Sequence, residues 1–222
     1  MDLLQAIKER HSVRQYLNKP IETDKVNKLK DFIDDCNKDE NLHFQLVIDE
    51  PKAFGGFMAH YGKFKGVKNY IALVGEKNIE EKIGYYGAKI ILFAQTMGLN
   101  TCWVAMTFKE IKTAFLVGRG EKLYSVIALG YGETQGVRHR IKTIDEVSKV
   151  YISKTPEWFV NGVKTALLAP TAMNQQKFYF TLNADNSVSA TSKSGFYVKI
   201  DLGIAKYFFE LGAGDPPVIW KD

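Results

Sequence analysis

Several things are scarce or missing in this chain, and each narrows the field. There are only two cysteines, Cys36 and Cys102, far apart and without metal-ligand spacing, so no zinc site is supported. Cys36 falls on the apolar side of a predicted helix and reads as a buried thiol. No apolar run approaches the length that spans a bilayer, and Met1-Asp2-Leu3-Leu4 runs straight into charged residues, so no secretory leader is expected. The expectation is a cytoplasmic protein with no membrane partner. Lysines are scattered and often stand beside Asp or Glu, as in Lys25–Asp35. A nucleic-acid binder concentrates them on one stripe, so no nucleic acid is expected as a partner. There is no Gly-x-Gly-x-x-Gly fingerprint of a dedicated dinucleotide fold, and no Ser/His/Asp or paired-carboxylate constellation for acid–base or nucleophilic chemistry.

What is present is an ordinary globular composition, 45% hydrophobic and 25% charged, in 222 residues. That length suits one domain or one and a half, with a substantial core. Net charge is +5 and the pI about 9.0, a mild excess that fits a small phosphorylated ligand better than a polymer. Eleven Tyr and 14 Phe supply stacking partners for a flat ligand, although most must be core. Arg10-His11-Ser12-Val13-Arg14 places two planar guanidinium forks and a hydroxyl at the expected end of the first helix. This composition is suited to a dianionic phosphate. Basic residues at a helix C-terminus also offset its dipole, so the cluster alone leaves both readings open.

Along the chain, Asp2 caps a short helix carrying Leu3, Leu4, Ala6 and Ile7. Thr23 or Asp24 caps a second, with Val26, Leu29, Phe32, Ile33 and Cys36 on one side. His43–Ile48 and Tyr70–Val74 read as strands, with a loop or short helical passage around Pro51 and Gly55-Gly56. Ile79–Met97 reads as the longest helix, ended by Gly98 in the left-handed position. Thr101–Met106 is extended. Thr107-Phe108-Lys109-Glu110 has the form of a capping box and predicts a helix through Phe115 or Leu116. Leu123–Tyr131 is a strand, and a second capping box, Thr143–Glu146, opens a helix to about Val150. Thr155-Pro156 starts another helix bearing Phe159, Val163, Ala166 and Leu167. Ala169–Asn174 is a loop, and Phe178, Phe180 and Leu182 alternate as a strand. Phe196, Val198 and Ile200 alternate as its return. Asp201 then caps a last helix, stopped by Pro216-Pro217. Gly87, Phe93 and Gly98 recur as Gly203, Phe209 and Gly214, each pair 116 positions apart, and the order of flanking elements is parallel. A partial duplication is a reasonable inference.

Three segments together carry a resemblance. Glu9–Tyr16, Gly98–Val104, and Leu129-Gly130-Tyr131-Gly132 with Arg138-His139-Arg140 resemble, in order, the signatures of the FMN-dependent nitroreductase family over roughly residues 1–150. The family's Ala-Pro-Ser-x-x-Asn-x-Gln-Pro-Trp loop is absent from its usual place after the second helix. Its counterpart is late, at Ala169–Phe178. The chain is therefore similar to two-repeat, pseudo-dimeric nitroreductase-like proteins. This implies an α+β fold with a central, mostly antiparallel sheet flanked by helices and a trimmed second half fused C-terminally. Residues 1–150 form the FMN-binding half, and residues 151–222 complete it. A monomer then builds one FMN site by itself, while a further homodimer stays open.

By position, the resemblance assigns Arg10, His11, Ser12 and Arg14 to the FMN phosphate and ribityl chain, with Arg138 and Arg140 closing on the phosphate. Trp103, Val104, Ala105 and Met106 run along the ring, with a backbone N–H near Ala105 at its N5 edge. Pro170, Thr171, Ala172 and Asn174 cover the ring. The bland alternatives are a core aromatic for Trp103, a turn residue for Asn174 and a solvated loop for the arginine pair. Ala105 stands where many relatives carry Glu, Ala172 replaces a hydroxyl-bearing residue, and Lys177-Phe178 replaces Pro-Trp. The implied function is transfer of reducing equivalents from NAD(P)H through FMN to a small acceptor such as a nitroaromatic or quinone. It needs no protein acid or base, because the cofactor carries the redox chemistry. The alternative is a non-catalytic FMN- or nucleotide-binding storage or sensor protein.

Overall fold

The computed structural model describes residues 1–40, 42–149, 155–215 and 217–221. The chain divides into two compact units. One comprises Met1, Glu9–Ile79 and Ile90–Arg138, the other Asp2–Lys8, Glu80–Lys89 and His139–Asp222.

The first unit is built on a four-stranded antiparallel sheet. Its strands are β1 (Leu42–Val47), β2 (Asn69–Glu76), β3 (Asn100–Val104) and β4 (Glu121–Gly130), in the order β1-β2-β4-β3. β2 is central and apolar on both faces, as a strand covered on both sides must be. Tyr70, Ala72 and Val74 join one buried cluster with Val13, Tyr16, Phe54, Phe64, Val104 and Val126. Ile71 and Leu73 are buried on the opposite face. The helix α2 (Thr23–Glu40) packs beside β1 through Leu29, Ile33 and Cys36. Its Phe32 stacks on Phe93 at 4.2 Å between ring centroids. The helix starts at Thr23, so the cap position falls one residue before the expected ones, at Glu22, whose carbonyl accepts the Lys25 and Val26 N–H groups. Between β1 and β2 the chain makes a 3-10 turn at Lys52–Phe54 and the short helix α3 (Phe57–Tyr61).

The helix expected over residues 107–116 does not form. That segment is irregular, with an isolated turn at 112–114. The Lys109 N–H, which a helix would leave at its first turn, donates to the Ala53 carbonyl at 2.8 Å, and the Leu116 N–H donates to Gln45 Oε1. Tertiary partners satisfy the backbone groups that a helix would have served. Phe108, Ile111 and Ala114 still pack on the core, so the apolar residues of this stretch serve burial without helical geometry.

The second unit begins with α1 (Leu3–Glu9), capped as expected by Asp2, whose Oδ1 accepts the Gln5 N–H at 2.7 Å. Ala6 and Ile7 are its buried residues. Leu4, expected on the apolar side, is exposed. The capping box at Thr143 forms on α5 (Ile144–Val147). The helix α6 (Glu157–Ala166) buries Phe159, Val163 and Ala166. β5 (Phe178–Leu182), β6 (Val188–Ser192) and β7 (Trp220–Lys221) form a second sheet in that order. β5 and β6 are antiparallel; β6 and β7 are parallel.

Two expectations fail together here. The return strand is β6, and residues 196–200 are not extended. Phe196 is exposed, Tyr197 takes the left-handed conformation with φ of 58°, and α7 (Val198–Ala213) begins at once. Asp201 is therefore not a cap but a buried residue inside the first turns of α7. The alternation of Phe196, Val198 and Ile200 was a coincidence of a helix start. The helical face is Ile200, Ile204, Tyr207 and Phe208. α7 crosses the first half of the central helix α4 (Glu80–Thr96) very closely. A Cβ on Gly84 would lie 2.0 Å from the Ile200 carbonyl oxygen, and one on Gly203 1.9 Å from that of Glu81. The helix expected to run to about Val150 stops at Val147, because Ser148 is already extended and bridges Phe180. The expected boundary at residues 150/151 and the stop at Pro216 lie outside the described residues.

Candidate functional site

After α1 the chain straightens and runs beside β3. The Val13 N–H donates to the Thr101 carbonyl at 3.1 Å, and Ser12 pairs with Thr101 as a parallel bridge. Further on, the Tyr16 N–H donates to the Lys65 carbonyl, the Lys65 N–H donates to the Arg14 carbonyl, and the Leu17 N–H donates to the Tyr131 carbonyl. Val13 and Tyr16 are buried and anchor the segment. The predicted phosphate residues are thus held on a rigid edge, not on a fraying helix end.

Arg10 is only 3% exposed. Its Nε is buried without a hydrogen-bond partner, and no carboxylate pairs with it among the described residues. Loss of hydration pulls its guanidinium down to about 10, while the nearby Cys102 acts the other way. The Cys102 thiol is pushed up by burial, opposed by Arg14, by a hydrogen bond with Ser12 and by Arg10. The Arg14 guanidinium lies 6.0 Å from the centre of the Phe64 ring. Arg10, Ser12, Arg14 and Cys102 therefore converge around one spot. A buried cation without a counter-charge is costly by several kcal/mol. An anionic group placed here would offset that cost.

A second segment is tied to this edge. Asn100 is buried; its Oδ1 accepts the Gly132 N–H at 2.9 Å and its Nδ2 donates to Gln135 Oε1 at 3.0 Å. The Glu133 N–H donates to the Gln15 carbonyl. Gly136 sits at φ +77°, and a Cβ there would lie 2.8 Å from that of His11. The loop is thus fastened to His11–Gln15, and it leads to Arg138, which is exposed and has no carboxylate partner among the described residues. Along β3, Trp103 is half-buried with its indole N–H donating to Ser125 Oγ at 2.7 Å. Val104 is buried, Ala105 half-buried and Met106 exposed.

The other unit groups Arg140 with the loop at 170–176. The Arg140 carbonyl accepts both Asn174 Nδ2 and Gln176 Nε2 at 2.8 Å, and Gln176 Nε2 also donates to Asn174 Oδ1 at 3.0 Å. Lys142 grips Gln176 through its N–H and its ammonium, and the Gln176 N–H donates to Thr171 Oγ1. Asp201 accepts the Ala172 N–H at 2.9 Å on one oxygen and Gln175 Nε2 at 2.7 Å on the other. Asn174 and Arg140, both expected at a ligand, thus meet each other through amide and carbonyl, leaving the Arg140 guanidinium exposed. Lys177 turns to the Ser194 carbonyl. Sequence reasoning missed Asn100, Gln176 and Asp201. Asn100 was visible only as a helix-ending residue and Asp201 only as a cap, and nothing marked Gln176. Among the described residues no cluster of three or more His, Cys, Asp or Glu could hold a metal, and no helix is long and apolar enough to cross a membrane.

An antiparallel α+β sheet protein with a basic edge is the class these features define. The family described as "Putative TM nitroreductase" matches residues 2–213, and the chain belongs to this nitroreductase family. A nitroreductase-like protein from Thermotoga maritima MSB8 superposes with a TM-score of 0.70 at 22% identity, over 96% of this chain and 83% of that one. A nitroreductase-like protein from Desulfovibrio desulfuricans, solved in complex with FMN, gives 0.53 at 17% identity over 66% and 95%. An NADH dehydrogenase/NAD(P)H nitroreductase-like protein from Bacteroides thetaiotaomicron gives 0.51 at 22% over 65% and 95%. No curated protein matches. The fold is that of the nitroreductases, with a central, mostly antiparallel sheet flanked by helices and a smaller second sheet.

Proposed function

We propose that the chain binds FMN and passes reducing equivalents from NAD(P)H to a small acceptor such as a nitroaromatic or quinone. The observation that carries the reading is the Arg10–Ser12–Arg14 edge, with its buried guanidinium, unpaired Nε and no carboxylate paired with Arg10 among the described residues. These residues fit a phosphate, which Arg10 and Arg14 would hold by charge-assisted bonds and Ser12 by its hydroxyl. His11 stands beside them. Arg138, at the end of the loop fastened to His11–Gln15, would add a further cation. Trp103–Met106 would run beside the ring, with the Ala105 backbone donor at its edge; Ala105 brings no side chain to the ring or to the acceptor. Arg140, Pro170, Thr171, Ala172 and Asn174 would complete the site, a role supported by the likeness of their loop to the family's. Bound FMN supplies two-electron redox chemistry. The protein's part is to bind and orient it.

A two-repeat chain is part of this reading. Positions 84 and 200 are equivalent under the 116-residue offset, and Gly84 meets the Ile200 carbonyl. A residue near a two-fold axis meets its own equivalent in this way.

The visible spectrum of the protein with added FMN, followed by anaerobic NADH or NADPH, tests the function. Bleaching of bound flavin is expected. Arg14→Ala is expected to raise the FMN Kd about tenfold or more, roughly the value of a charge-assisted contact, with an unchanged circular dichroism spectrum. Flavin that binds but is reduced by neither donor would favour the storage or sensor role. Wild-type affinity in the variant would remove the arginine edge from the site.

A further inference from the structure

The loop at 170–176 does not hold its shape by its own preferences. Met173, Asn174 and Gln176 all have positive φ, at 51°, 54° and 43°. Left-handed backbone is uncommon outside glycine and is sterically disfavoured for residues with a Cβ. Met173 is 94% exposed and anchors nothing. The loop must be restrained from outside, and two restraints are visible. One is the Gln176–Arg140–Lys142 set described above. The other is Asp201, whose side chain is buried within α7 yet directs both oxygens at this loop. It accepts a backbone N–H on one and a side-chain amide on the other. Gln175 transmits the grip further, because its Nε2 also donates to the Phe196 carbonyl.

We propose that Asp201 is a positioning residue for flavin binding, an ionised buried carboxylate that clamps Ala172 and Gln175 and so holds the strained loop in its ligand-ready shape. The proposal rests on the flavin reading of this loop. A carboxylate is the one side chain of this size that accepts on both ends. A neutral acid or an amide accepts on one end only and presents a donor at the other, which then confronts the Ala172 N–H or the Gln175 amide. The clamp is therefore sensitive to protonation. Burial raises the Asp201 carboxyl to about 6, against the pull of the two hydrogen bonds. Among the described residues no charged group offsets this. On the segments packed against it, Lys177 turns to Ser194, Lys142 to Gln176, and Lys206 of α7 pairs with Glu81 of α4; Arg140 acts on Glu146. Lys199 of α7 is exposed. The clamp should be closed above about pH 6 and released below it.

Asp201→Asn imitates the released state at every pH. Two measurements on the full chain test the clamp: hydrogen exchange of residues 171–176 without flavin, and FMN affinity by fluorescence titration, both at pH 8 and pH 5. At pH 8 the variant should exchange these amides at least tenfold faster than wild type and bind FMN five- to tenfold more weakly. At pH 5 the two proteins should converge. Comparing them at each pH cancels the titration of the FMN phosphate itself. Equal exchange in both proteins with normal FMN binding, or the same affinity ratio at both pH values, overturns the clamp alone. Faster exchange in the variant with no FMN bound by either protein overturns the flavin reading, and the positioning role with it.

Discussion

At the scale of single residues, two buried ionisable groups stand on opposite sides of a trade between stability and function. Among the described residues Arg10 is a cation without a carboxylate partner, and Asp201 an anion without a cationic one. For Asp201 the sign runs opposite to the usual surface carboxylate. Its folded-state pKa, about 6, lies above the ordinary 3.8, so the folded protein holds this proton more tightly than the unfolded chain. The contribution to stability is greatest below about pH 4 and is lost as pH rises through 6. The difference of about 2 units corresponds to roughly 3 kcal/mol at most. Asp201→Asn should therefore be more stable than wild type at pH 8, by on the order of 1–3 kcal/mol, or several degrees in Tm. The gap should close as pH falls from 6 to 4. Thermal unfolding of both proteins across this range measures it, and parallel curves would show that the carboxylate is not destabilised by burial. A residue that costs the fold yet organises a ligand loop is the pattern expected where function outweighs stability.

At the scale of elements, regular patterns were readable and improvised ones were not. α2, α4 and β2 follow from spacing because their own apolar residues face one partner surface. The stretch at 107–116 carries a capping-box sequence but no helix, because Ala53 and Gln45, more than 50 positions away in sequence, bond its backbone. Phe196–Ile200 alternates like a strand, but Tyr197 in the left-handed region turns it into a helix start. For the candidate site, Arg10, Ser12 and Arg14 could be proposed from the sequence because phosphate recognition has a composition. Asp201 and Asn100 were not, because their partners, Ala172 and the Gly132–Gln135 loop, lie about 30 positions off and only the fold brings them together. The crossing of α4 and α7 gives an element-scale prediction. On helix propensity alone, Gly203→Ala should stabilise α7 by up to about 1 kcal/mol. The added methyl would instead meet the Glu81 carbonyl at 1.9 Å, which neither backbone can avoid without opening the crossing. Destabilisation of about 2–4 kcal/mol is expected from such overpacking. Chemical denaturation reads the sign directly, and a stabilised variant would refute the close crossing.

At the scale of the whole molecule, the two-repeat reading makes a claim about number. All five arginines stand at or before position 140, four of them at Arg10, Arg14, Arg138 and Arg140. Residues 151–222 carry none, and the Pro170–Asn174 loop occurs once. If the repeats were equal, a duplicated chain would carry two phosphate sites. On the two-repeat reading, with the arginines in the first 150 residues and the loop in the rest, the chain would carry one, and a partner subunit would not be needed to supply either part. The expected stoichiometry is one FMN per 25.1 kDa chain, whether the protein sediments as a monomer or as a homodimer. Titration to saturation with absorbance at the flavin band, run beside analytical ultracentrifugation at the same concentrations, separates the possibilities. One FMN per chain in a monomer supports the two-repeat reading. A chain that binds FMN only above its dimerisation concentration would show that the loop is supplied in trans, and the duplication, if real, would then have no part in completing the site.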